Sequence, residues 1–200
     1  DFKNRPYPMF IVEPPSNGSI DELFKSGENK KENTLFDDTK RLINIYGIAS
    51  AMAYMHSINR YHSDLDIEQV KLDDYLYPKL TESTEIMDEE DVYDDIYCFG
   101  TIVFALIKND RPMDDDDVLA EVTDDNFPPC YKNLLEKCLN DNMNERPSFE
   151  EIVYHLRTNP EFMTEKVNKE EFINYVNYID NGQKDTNIFK NFFWKKSIIQ

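Results

Sequence analysis

The sequence predicts a mainly α-helical fold with one short β-hairpin, and three stretches carry that prediction. Leu42, Ile45, Tyr46, Ile48, Ala49, Met52, Ala53 and Met55 recur at helical spacing and define one apolar stripe on a long helix. Asp95 to Ile107 is apolar nearly all round, the pattern of a helix buried in a core. Val70 to Leu72 and Pro78 to Leu80 read as two short strands joined by Asp73-Asp74-Tyr75. With 200 residues and 40% hydrophobic content, the chain is long enough to bury one good core.

In chain order, Tyr7 to Val12 is a short apolar, strand-like run followed by Glu13-Pro14-Pro15-Ser16-Asn17-Gly18. Ser19 has the side chain to N-cap a first helix over Ile20 to Lys25. Glu28 to Thr34 is a polar loop, after which Asp37 or Asp38 opens the long helix that delivers His56 to the next loop. Glu85 to Asp94 is short and acidic. Pro112 with Asp114 to Asp117 starts an acidic helix, because carboxylates at an N-terminus complement the helix dipole. Ser148 with Glu151 is a capping box. Beyond Asn159, Phe172, Ile173, Val176 and Ile179 form one face of an extra helix ended by Asn181-Gly182. The aromatic and basic tail, Ile188 to Lys196, is expected to pack on its own domain or to stay disordered, with docking on a partner or a membrane as the alternative.

A net charge of −18 disfavours nucleic acid and anionic membrane surfaces as partners, since both would be repelled. The same field disfavours ATP unless local cations override it. Cys98, Cys130 and Cys138 leave an odd thiol and show no metal-ligand spacing, the pattern of reduced, mostly buried residues in a cytoplasmic protein. No apolar run approaches a membrane span and the N-terminus has no basic-then-apolar signal. Asp1 in place of an initiator Met leads us to expect part of a longer chain.

The stretch from Tyr54 to Thr84 resembles the catalytic centre of a protein kinase. That family reads His-Arg-Asp-Leu, four further residues ending in Asn, then a short strand pair and Asp-Phe-Gly. His62, Asp64, Leu65 and Glu68 match position for position, whereas Ser63, Asp66, Ile67 and Gln69 stand where Arg, Lys, Pro and Asn would be. Asp95-Ile96-Tyr97-Cys98-Phe99-Gly100 resembles the central helix of the large lobe, and Pro129 to Leu139 with Asn144-Glu145-Arg146-Pro147 and the segment to Val153 resembles the last two helices of a tyrosine-kinase-like large lobe, so the likeness runs in family order from about Phe10 to Leu156. It implies a kinase-like large lobe over 1–158 and an extension with one amphipathic helix over 159–200. It also implies roles: Asp64 as the base-like residue, Gln69 and Glu82 at the metal positions, and Glu13 and Pro15 at the hinge that meets adenine. His62, Asp95 and Arg146 take structural places, with Asp95 bracing the backbone of His62 and Ser63. Arg146 ordinarily pairs with the Glu of Ala-Pro-Glu, which this chain lacks, so Glu89, Glu90 or Asp91 is expected in its place.

The departures lie where chemistry is done. The small lobe, with its glycine-rich loop and lysine strand, is missing from this chain. Glu82 and Gln69 are one methylene longer than the family's metal ligands, Ser83 and Thr84 replace Phe and Gly, and there is no room for a full activation segment. Pro14 and Pro15 have no N–H to offer adenine. Asp66 replaces a Lys that faces the transferred phosphate; at about 4 Å and an effective dielectric near 20, reversing such a contact is worth several kcal/mol. The expectation is therefore a catalytically inactive, kinase-like domain serving protein interaction or regulation in signalling, with an unidentified protein partner and no cofactor. The alternative is an active Ser/Thr or Tyr protein kinase using ATP and Mg²⁺, its small lobe absent from this chain.

Overall fold

The computed structural model describes residues 10–12, 16–26, 36–62, 64–80, 91–111, 115–122, 127–182 and 196–198. Strand β1 (Phe10–Val12) precedes α1 (Ile20–Lys25) and the long α2 (Asp38–Ser57). The hairpin of β2 (Val70–Leu72) and β3 (Pro78–Leu80) follows, then α3 (Asp91–Lys108), α4 (Asp115–Val122), α5 (Pro129–Cys138), α6 (Phe149–Thr158), α7 (Lys169–Gly182) and β4 (Lys196–Ile198). Two antiparallel ribbons result, β1 with β4 and β2 with β3. The architecture is mainly helical, as the periodicities predict, and the hairpin strands have the expected bounds.

Local chemistry accounts for the element ends. Ser19 Oγ accepts from the Glu22 backbone N–H at 3.1 Å while Glu22 Oε2 accepts from the Ser19 N–H at 2.9 Å, a reciprocal cap on α1. Asp37 Oδ1 accepts from the Lys40 N–H at 2.9 Å and opens α2. Ser148 and Glu151 form the same reciprocal box on α6.

The core is organised on α2, which corrects the expectation of a single apolar stripe. Besides the apolar positions read from the sequence, of which Ala53 is only partly buried, Thr39, Ile43, Asn44, Gly47, Ser50 and Ala51 are also buried, so the helix is covered on nearly every side. The reason is its place in the fold: it packs against α3, α6, α7 and β3. At Gly47, α7 and the hairpin both come close. A Cβ there would lie 2.3 Å from the Tyr175 hydroxyl and 2.6 Å from Pro78 Cγ, so the seat needs hydrogen in place of a methyl group.

Helix α7 also corrects one residue. Phe172, Val176 and Ile179 are buried as expected, but Ile173 is 55% exposed and Tyr175 is the fourth inward residue. Ile173 lies about 100° around the axis from Phe172, off the face centred on Ile179, whereas Tyr175 lies on that face's other flank. Edge-to-face rings of Tyr46 with Phe172 and Tyr175, and Lys40 Nζ 2.5 Å from Glu171 Oε1, hold α7 to α2.

At the hairpin tip, Leu76 has a φ of 61°, a conformation that a branched side chain adopts at a cost of about 1 kcal/mol or more. The buried Asn44 of α2 donates from Nδ2 to the Leu76 carbonyl at 2.9 Å, and Asp73 Oδ1 accepts the N–H groups of Tyr75 and Tyr77, both at 2.9 Å. These bonds fix the turn and hold the hairpin on the helix that leads into the candidate site.

Candidate functional site

The loop from Tyr61 to Gln69 lies between the end of α2 and β2. Leu65 and Ile67 are buried, at 3% exposure each, and anchor it, while Asp64 and Glu68 are exposed. Asp66 builds its final turn. Its side-chain Oδ1 accepts from the Glu68 N–H at 2.9 Å, and its carbonyl accepts from Gln69 N–H at 2.9 Å and Val70 N–H at 3.2 Å. The Ile67 carbonyl accepts from the Asp21 N–H at 3.2 Å, so α1 starts against the loop.

Beneath the loop, Asp95 of α3 is 1% exposed. Its Oδ2 accepts from the His62 backbone N–H at 2.9 Å and lies 2.9 Å from His56 Nε2. Since a carboxylate only accepts, the His56 proton shared with it sits on Nε2. The His56 ring meets Tyr61 and Phe149 edge to face, with centroids 5.2 and 4.9 Å apart, so its orientation is fixed by packing as well. His62 itself is buried, at 2% exposure. Ser63 lies outside the described residues.

Asp64 and Gln69 come together: Gln69 Nε2 donates to Asp64 Oδ2 at 3.1 Å. Glu82, Glu13 and Pro15, the other metal and hinge positions, lie outside the described residues, as do Glu89 and Glu90. Arg146 donates from Nε to the Asn140 carbonyl at 3.0 Å and from NH1 to the Tyr93 carbonyl at 2.8 Å. Its guanidinium carbon stands 4.9 Å from the centroid of Tyr97, so it ties the start of α3 to the turn before α6. A groove between α2 and α6, lined by Ala53, Tyr54, Val153, Tyr154 and Arg157 among others, includes none of the loop residues.

Arg111 is a residue that the sequence pattern did not single out. It follows α3 in the chain, and its NH2 donates to Asp66 Oδ1 and its NH1 to Glu68 Oε1, each at 2.9 Å. NH1 also lies 3.8 Å from Asp21 Oδ1, whose side chain is only 5% exposed and is paired with Lys25 at 2.5 Å. Asp66 therefore faces a cation from its own chain, which offsets part of the repulsion expected of it. A lone Arg between acidic stretches and immediately before Pro112 was the available signal. Its partners, 43 and 45 residues away, could not be read from local pattern.

With this geometry in place, comparison with known proteins adds a direction. The chain is 24% identical over 186 residues to a protein of Dictyostelium discoideum named a probable serine/threonine-protein kinase, a match over 74% of this chain and 14% of that protein. It is 28% identical over 99 residues to an inactive protein tyrosine kinase of Plasmodium berghei (strain Anka), a match over 44% of this chain and 7% of that protein. Both relatives support a kinase-like domain. The chain spans only a small fraction of either relative's length, and no family model matches it. Among the described residues no helix is long and apolar enough to cross a membrane, and no group of three or more His, Cys, Asp or Glu side chains could hold a metal ion.

Proposed function

We propose that this chain is a kinase-like large lobe that does not transfer phosphate and serves as a protein-interaction or regulatory module. The observation that carries the reading is the occupation of the catalytic-like loop by its own side chains. Asp64, the base-like residue, receives a hydrogen bond from Gln69, and Asp66, where the resemblance expects a cation, is a carboxylate joined to Arg111. A transferring phosphoryl group needs positive charge aimed at it. Among the described residues, the cations beside the loop are engaged by the chain itself: Lys25 and Arg111 pair with Asp21, Asp66 and Glu68, and Lys71 Nζ donates to the Glu68 carbonyl at 2.7 Å. Gln69, at a metal position of the resemblance, turns its amide nitrogen to Asp64 as a hydrogen-bond donor. Of the two relatives, the one named inactive favours this reading and the one named a probable serine/threonine-protein kinase favours the alternative.

The test is thermal stabilisation by Mg-ATP and phosphate transfer to a generic protein substrate. We expect neither to exceed the level of an Asp64→Asn variant. Robust transfer that is lost in Asp64→Asn would establish the other reading, an active protein kinase.

A further inference from the structure

Arg111 does more than balance charge: it gathers three segments, of which only α1 and the loop share a backbone hydrogen bond among the described residues. Its NH1 and NH2 reach Glu68 and Asp66 on the loop at 2.9 Å each, and NH1 stands 3.8 Å from Asp21 on α1. Its own backbone belongs to the turn that ends α3. That turn is built to present it: Asn109 adopts a φ of 54°, the Arg111 N–H donates to Asp110 Oδ1 at 2.9 Å, and Arg41 Nε of α2 donates to Asn109 Oδ1 at 3.2 Å. Pro112 follows and biases Arg111 toward an extended backbone.

We propose that Arg111 is a positioning residue, a latch that sets the conformation of the loop over residues 64–69 and so the reach of Asp64 and Asp66 toward any group bound there. Asp66 transmits the latch, because its Oδ1 accepts both from Arg111 NH2 and from the Glu68 N–H that closes the loop's last turn. Releasing the guanidinium therefore loosens the turn as well as the ion pairs. Arg111, Asp66 and Glu68 are each about half exposed, at 44, 44 and 51% of their side chains, so the contacts are open to salt. A latch of this kind is reversible by competing charge. It acts on the same loop as the proposed function but does not depend on whether that loop transfers phosphate.

Amide hydrogen exchange on the full chain tests it. The reporters are the Glu68, Gln69 and Val70 amides, which bond to Asp66, with α5 and α6 amides as reference. In Arg111→Ala the reporters should exchange roughly 3- to 10-fold faster while the reference amides stay unchanged. Arg111→Lys, which keeps the charge without the fork, should fall between. Raising salt should speed the reporters in the parent protein and leave those of Arg111→Ala unmoved. Equal exchange in parent and Arg111→Ala, acceleration spread evenly over α5 and α6, or a parent insensitive to salt would each overturn the proposal.

Discussion

The hydroxyl of Tyr175 is buried without a hydrogen-bond partner and occupies the seat that Gly47 leaves open. An orphaned buried hydroxyl costs about 1–3 kcal/mol, so Tyr175→Phe should leave the urea midpoint unchanged or raise it. Gly47→Ala should destabilise by about 1–3 kcal/mol through overpacking, and Tyr175→Phe, by removing the nearest atom, should recover some of that loss in a double-mutant cycle. Cysteine chemistry divides in the same local way. Burial pushes the Cys138 thiol up to about 12 and raises Cys130, whereas Cys98 is only partly buried. Iodoacetamide at pH 8 should accordingly label Cys98 first, read by peptide mass spectrometry. At this scale the motif spacing anticipates the bond from the His62 backbone N–H to the Asp95 carboxylate. The sequence was least legible where meaning comes from tertiary contact, as with Arg111, or from absence of space, as with Gly47.

Among the elements, those with a chemical signature at their ends were readable. Ser19, Asp37 and Ser148 announce α1, α2 and α6, and each side chain makes its cap. Ser148→Ala should cost about 1 kcal/mol in chemical denaturation. What periodicity could not tell was how many neighbours a helix has. The apolar spacing of α2 marks one face, but the small and polar residues between those positions are buried too, because α6 and α7 come down on the other sides. Asn44 shows what such a residue does, donating to the Lys40 and Leu76 carbonyls from full burial. Asn44→Ala should cost about 1–3 kcal/mol and speed amide exchange in the hairpin, since the Leu76 turn loses its tie to the helix.

For the molecule as a whole, burial of neutral acids predicts how stability varies with pH. Tyr46, Tyr131, Tyr175, Cys130 and Cys138 all have raised pKa values caused first by desolvation, so the native state holds protons that the unfolded chain releases. Native binding of more protons makes the slope of stability with pH negative. The contribution is complete below about pH 8.5, the unfolded thiol value, and is lost as pH rises toward the folded values. For Cys138 alone the loss by pH 10 is on the order of 2 kcal/mol, checked by urea midpoints between pH 8 and 11. The ribbon of β1 and β4 has a mechanical consequence. Its register sets Phe10 opposite Ile198 and Val12 opposite Lys196, so outward tension through the first and last strands arrives at the same end of the ladder. Rungs so loaded break singly and in succession, as in peeling, rather than together in shear. Under an optical trap the ribbon should open at low force before the helical body yields, lengthening the tether while the core stays folded.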